Sequence, residues 1–227
     1  MERIKISRVL TAALATVVAQ ATRLAQALVV PAVVYVAMSL VPSEPETITG
    51  GLFFIMGLVT IVLHTVVAIT THRIVILGPD SVPKWGLTRW TRRETTFLLY
   101  IFGFALAISL LVMFGAALPQ PFGLAIVAGI AIIIFSAASL VFPAVALEHE
   151  TSVQTAWQLA QGNFFPLIVC VWLFPIAISI PIGALSFIPY AAPLIAVLHL
   201  TANVLTIAAL SLAYSEISKS AGLWKSD

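Results

Sequence analysis

The chain has 227 residues, 61% of them hydrophobic and only 9% charged, with a formal net charge of +2. An ordinary soluble domain is about 25% charged, so eleven Lys+Arg and nine Asp+Glu cannot clothe a water-soluble globule of this length. The composition excludes a soluble enzyme, a disordered tail and a basic nucleic-acid binder, and the single Cys170 excludes an internal disulfide framework or a cysteine-rich metal site.

The charges cluster, and the gaps between clusters define spans of about 20 apolar residues, the length a helix needs to cross hydrocarbon. Residues 1–22 read as an amphipathic lead-in helix whose basic end lies among lipid headgroups. Leu24 to Pro42 is uncharged and stops before Glu44 and Glu46; Thr47 to Thr71 is uncharged and stops at His72 and Arg73. Thr95 to Leu147 holds no Asp, Glu, Lys, Arg or His over 53 residues, too long for one helix and right for two. Its break falls at Pro119-Gln120-Pro121, because proline lacks a backbone donor. Thr151 to Ser215 is free of Asp, Glu, Lys and Arg, with a turn at Ser186 to Pro193. The expected fold is an all-α, polytopic membrane bundle forming a single domain over 1–227, with six spans near 24–42, 50–71, 96–117, 123–146, 164–186 and 191–214.

Basic residues set the orientation. Arg3, Lys5, Arg8 and Arg23 precede or open the first span; Arg73, Lys84, Arg89, Arg92 and Arg93 lie between spans two and three; Lys219 and Lys225 follow the sixth. All eleven fall on one side of a six-span arrangement, which predicts both termini inside. The rival is a signal peptide, with Val9 to Val18 as its apolar core and Ala19-Gln20-Ala21 as its cleavage site. Cleavage would invert the spans and put the five-cation connection outside, against the charge rule.

Three amphipathic segments, 1–22, 84–94 and 151–163, each introduce a pair of spans. In the third, Thr151-x-x-Gln154 fits a capping box, Glu148 and Glu150 suit a helix N-terminus, and Val153, Ala156, Trp157 and Ala160 form one stripe. Val9, Thr11, Ala12 and Pro31 align with Val153, Thr155, Ala156 and Pro175 at a fixed offset, as a parallel repeat would; chance matching in an Ala/Val/Leu-rich chain is the alternative.

His64 and His199 are the ionisable side chains read as lying deep inside spans, in spans two and six. An intramembrane histidine can bind a porphyrin-type pigment, relay a proton, or stay neutral and hydrogen-bonded between helices near Thr65, Thr201 or Asn203. The span positions separate the two by about 10 Å in depth, against a shared metal or haem. Lys84, Trp85, Arg89, Trp90, Arg92 and Arg93 make the most distinctive stretch, either a lipid- or partner-docking surface or ordinary interfacial anchoring. Glu94 pairs with a neighbouring Arg. Glu148-His149-Glu150 do not share one helix face and lack a further ligand nearby in sequence. Cys170 reads as a small core residue, and prolines 31, 143, 166, 175, 181 and 193 can kink spans or simply pack.

The stretch His72-Arg73-Ile74-Val75-Ile76-Leu77-Gly78, followed by Trp90, Arg93-Glu94 and Phe97-Leu98, resembles a set of uncharacterised proteobacterial inner-membrane proteins. Phe142-Pro143-Ala144-Val145-Ala146 leading to Ser152, Ala156-Trp157 and Gly162-Asn163 resembles the same group. It is similar, more distantly, to the membrane region of some glycerophosphoryl diester phosphodiesterases. The resemblance covers about residues 60–185 and implies a fold and a bacterial inner-membrane location, with no enzymatic residues carried over. The expected function is a non-enzymatic accessory or scaffold subunit, with other membrane subunits and anionic lipids as partners and neither nucleic acid nor a cofactor. The alternatives are a small carrier or lipid/hydrophobic-solute handling protein, and a pigment- or haem-binding subunit through His64 or His199.

Overall fold

A computed structural model describes residues 3–41, 50–86 and 89–222. Pro42, Glu44, Glu46, Thr47 and Lys225, named above, lie outside the described residues. Those described form helices and connections with no strand. Six helical segments are long and apolar enough to cross a membrane, Ala21–Ser39, Gly50–Leu77, Arg92–Ala117, Phe122–Ala146, Phe164–Phe187 and Ala192–Ser220. The protein is a multi-pass membrane helix bundle.

The helices are α1 (Ile6–Ala19), α2 (Ala21–Ser39), α3 (Gly50–Leu77), α4 (Arg92–Ala117), α5 (Phe122–Ala138), α6 (Val141–Ala146), α7 (Val153–Ala160), α8 (Phe164–Ile168), α9 (Phe174–Ala184) and α10 (Ala192–Ser220). A π turn, Val169–Leu173, joins α8 to α9. Two helices run further than the charge gaps suggest. α3 continues past Thr71 to Leu77, and α10 past Tyr214 to Ser220. His72 and Arg73 therefore lie inside α3 rather than ending it. The helix tolerates Arg73 because its guanidinium reaches past the helix end, donating from Nη1 to Ala146 O at 3.1 Å and from Nε to Ser81 O at 3.4 Å.

Prolines shape three of the spans. Proline cannot donate to the carbonyl four residues back. Pro31, buried inside α2, leaves the Ala27 carbonyl without its helical partner. Pro143 does the same to Ser139, and there the helix breaks between α5 and α6; Phe142 N–H takes up the Ser139 carbonyl at 3.1 Å. Pro175 opens α9 directly after the π turn, whose wider ring gives room where the pyrrolidine would clash with the preceding turn. Pro31 and Pro175, aligned in the sequence, thus occupy different local geometries.

The amphipathic segments also differ. α1 forms as expected and leads through Gln20 alone into α2. Residues 84–86 and 89–91 lie outside any helix; α4 begins at Arg92, capped by Thr91 and Glu94 in a reciprocal capping box. The cap of α7 is Ser152, accepting from Thr155 N–H at 3.1 Å, not Thr151. Ala156 and Ala160 of the expected α7 stripe are buried, joined by Leu159, whereas Val153 and Trp157 are exposed. Between α4 and α5 the chain turns at Pro119–Pro121, where the Gln120 amide donates to Gly115 O at 2.8 Å, alongside the Leu118 N–H that caps the same carbonyl at 3.3 Å.

Packing is concentrated at one end. The buried residues of α3 run from Thr65 to Ile74 and those of α10 from Ala202 to Ser218. Val9 and Ala13 of α1, Leu24 to Pro31 of α2, Phe97 of α4 and Leu140 to Leu147 join them. The other half of the bundle turns large side chains outward, including Phe53, Phe54, Met113, Phe114, Phe122 and Ile126. In lipid, helices associate by close packing rather than by hydrophobic transfer, so the small residues Ala13, Ala68, Ala137, Ala208 and Ala213 matter for how near the backbones approach.

Candidate functional site

α3 and α10 run parallel and in register. His64 on α3 meets Asn203 on α10 and His72 meets Ser211, both pairs 139 residues apart in sequence. Eight residues along each helix bring the same face round again, so one seam carries both polar contacts. Asn203 Nδ2 donates to His64 Nδ1 at 3.2 Å. The Ser211 hydroxyl donates to Ile207 O at 2.7 Å, so its oxygen accepts from His72 Nδ1–H, also at 2.7 Å. The two imidazoles are consequently opposite tautomers: His64 keeps its proton on Nε2, His72 on Nδ1.

The charge gaps place His72 at a span boundary, yet it is 1% exposed in the packed half of the bundle. His199, expected deep inside a span, is exposed, two turns into α10. The register sets His199 level with Thr60, one turn or about 6 Å from the level of His64, instead of 10 Å away. Both expected histidines border hollows. His64 and His72, with Phe97, Phe142, Asn203 and Thr206, border a chamber of about 190 Å³. His199 and Tyr35 border a second hollow of about 490 Å³, and Asn203 lines both.

Ligand pockets for drug-sized molecules run from about 300 Å³ upward. The chamber at His64 is smaller, and a porphyrin is larger than such molecules, so this chamber does not fit a haem or porphyrin-type pigment. His64 also has Nδ1 committed to Asn203. Among the described residues, no three of His, Cys, Asp and Glu gather as metal ligands.

At the packed end a second constellation forms. Arg93 donates from Nε to Glu94 Oε1 at 2.9 Å and from Nη1 to Glu148 Oε1 at 2.8 Å; Arg73 Nη1 lies 3.6 Å from the same Glu148 oxygen. Glu94 also accepts from Thr91 N–H at 2.8 Å and bonds its hydroxyl. The expected Glu94–Arg pairing is present, but it is buried: the side chains of Arg93 and Glu94 are 9% and 4% exposed. Arg93 is therefore not part of an open surface with its neighbours. Glu148 has φ 62, a left-handed conformation that favours glycine. It closes α6 in a Schellman arrangement, with its own N–H bonding Val145 O and His149 N–H bonding Ala144 O, both at 3.0 Å. A carboxylate occupies the glycine position and holds two arginines from other helices. His149 Nδ1 lies 3.0 Å from the Tyr214 hydroxyl, and partial burial holds its imidazole below the usual histidine range.

Of the remaining sequence candidates, Lys84, Trp85, Arg89, Trp90 and Arg92 are each exposed, on the connection that leads into α4 or at its end. The scaffold of that connection is a residue the sequence left as one more positive charge. Arg23 on α2 donates to Pro79 O and Lys84 O at 2.9 Å and to Val82 O at 2.5 Å, fastening the connection onto α2. One turn on, buried Gly86 lies so close to Ala27 that a Cβ would meet the Ala27 oxygen at 2.0 Å. That is the carbonyl Pro31 leaves open. Cys170 is fully buried, as read. Comparisons with protein-family models, with curated proteins and with solved structures return no match.

Proposed function

We propose that the protein is a non-enzymatic accessory or scaffold subunit of the bacterial inner membrane, with the packed end of the bundle in the cytoplasm. The observation that carries this reading is the α4–α5 hairpin. Of α4 only Glu94, Phe97 and Gly115 are buried, and the last packs on α5 itself. Only 6% of its apolar window is buried, against 39% for α10. Away from the packed end the hairpin turns Leu106, Met113, Phe114, Phe122, Ile126 and Ile130 outward. The small residues of α5 divide accordingly: Gly123, Ser136, Ala137 and Ala138 are buried within the chain and Ala131 is half-buried, while Ala125, Ala128 and Gly129 face outward. A hairpin of this kind suits contact with another membrane subunit through the bilayer.

Orientation is supported by the charge rule and by contacts that gather the basic segments at one end: Ile4 N–H on Asn163, Arg23 on residues 79–84, and Arg93 on Glu148. Reporter fusions should read inside at Asp80 and outside at Gln120. The scaffold role is tested by mild-detergent extraction, native mass measurement and photo-crosslinking from position 114. A larger assembly with a crosslinked membrane partner supports it; a lone monomer with no crosslink overturns it.

A second reading, a small carrier for hydrophobic or weakly polar solutes, is favoured by one observation: Asn203 lines both hollows. Asn203→Leu would then abolish uptake into proteoliposomes.

A further inference from the structure

The start of α1 and the end of α10 enclose a hollow of about 300 Å³ lined by Arg3, Lys5, Arg8, Glu216, Lys219 and Ser220. Among the described residues of this lining, four are basic and one, Glu216, is acidic. Of the other basic groups of this end, Arg73 and Arg93 are answered by carboxylates and Arg23 by three carbonyls. Here, among the described residues, the side chains of Arg3, Lys5 and Arg8 make no ion pair or hydrogen bond with protein.

Nor are these cations on a loose tail. Ile4, between Arg3 and Lys5, is buried and donates its N–H to Asn163 Oδ1 at 2.9 Å. Val9 and Ala13, 1% and 0% exposed, seat α1 in the packed core with Ala213 and Ile217 of α10. The backbone thus brings the positive groups together by packing, against their mutual repulsion. α1 adds to the field: its first turn has no acidic residue and no side-chain cap, so the positive end of the helix is open at the same place. On its outward face α1 shows Leu14 and Val18, which suit contact with acyl chains.

We propose that this hollow is a phosphate site and that its occupant is the headgroup of an anionic phospholipid from the adjoining leaflet. Three features select that chemistry. The excess positive charge rejects cations and disfavours zwitterionic heads. The open helix end supplies backbone donors to phosphate oxygens. The flanking apolar face lets the acyl chains stay in the membrane. The site is independent of the α4–α5 hairpin and stands or falls apart from the scaffold role.

The full-length protein in micelles of a neutral detergent is titrated with a short-chain phosphatidylglycerol, with a short-chain phosphatidylcholine and with inorganic phosphate. Phosphatidylglycerol should bind saturably, with Arg3→Gln and Arg8→Gln each weakening it about fivefold, the size of one interfacial cation. Glu216→Gln, which removes the carboxylate of the described lining, should tighten it. The exposed substitutions should leave the thermal melt unchanged, so weaker binding reports the site and not misfolding. Equal binding of phosphatidylcholine, or no effect of Arg3→Gln with Arg8→Gln, overturns the site. Saturable inorganic phosphate binding without phosphatidylglycerol binding overturns the lipid as its occupant.

Discussion

His72 on α3 donates from Nδ1 to the Ser211 oxygen on α10, 2.7 Å away, and repeats two turns on the register of His64 with Asn203. Equal sequence separation in both pairs makes the seam a straight parallel one. Buried hydrogen bonds between membrane helices contribute about 0.6 kcal/mol on average and up to about 1.7 kcal/mol. A double-mutant cycle of His72→Ala and Ser211→Ala, read by equilibrium unfolding in mixed micelles, should give coupling in that range. Nitrogen NMR of labelled histidine should show His72 protonated on Nδ1 and His64 on Nε2. The same tautomer at both would contradict the seam's hydrogen-bond order.

Gly86 offers a sharper backbone test. It has φ +66 and faces the Ala27 carbonyl at a distance that leaves no room for a Cβ. Alanine there meets two penalties at once, a left-handed conformation and overpacking against backbone. Gly86→Ala should lower stability by about 2–4 kcal/mol, measured as a shift in the unfolding midpoint. Gly129, with open space at its Cβ, is the matched control: Gly129→Ala should be neutral or slightly stabilising. Equal effects at the two positions would show that the strap of residues 79–86 is not tied to α2.

Arg93 and its neighbours separate anchoring from structure. Lys84, Arg89 and Arg92 are exposed, so replacing all three with Gln should weaken association with anionic vesicles and leave the melt in place. Arg93→Gln removes the partner of buried Glu94 and one partner of Glu148. Breaking a buried ion pair is costly, and this variant should lose about 2–4 kcal/mol. A stable Arg93→Gln protein would mean Glu94 is satisfied by its capping contacts with Thr91 alone.

These contrasts show what the sequence could carry. Charge-free runs gave the spans because hydrocarbon punishes charge, and Pro119–Pro121 gave a turn because proline breaks helices. The same logic misplaced the end of α3, since Arg73 escapes the apolar span by reaching Ser81 and Ala146 rather than by ending the helix. A charge rule that puts Arg73 outside carries the adjacent His72 out with it. Arg23 and Asn203 were poorly legible for another reason. Their partners lie 56 and 139 residues away, and no local pattern encodes such pairings. Glu148 looked like one of three adjacent polar residues; its role follows from a left-handed backbone that sequence periodicity does not reveal.

His149 ties the stability of the fold to pH. Partial burial lowers its pKa in the folded protein, so the folded state resists protonation more than the unfolded chain, whose histidine titrates near 6.5. Between the two values the unfolded state binds more protons, and stability rises with pH. The contribution is complete above the unfolded value and is lost as pH falls through that value toward the folded one. The informative quantity is the difference between wild type and His149→Gln, in which the other titrating groups cancel. Melting temperatures in detergent from pH 8 to pH 5 should fall further for wild type than for His149→Gln, and the gap should open below about pH 6.5. Glu148 beside it is held by Arg93, which limits its competing pull on the imidazole. Parallel curves, or a steeper fall in the variant, would show that His149 gains a counter-charge on folding and that its contact with Tyr214 does not keep it neutral.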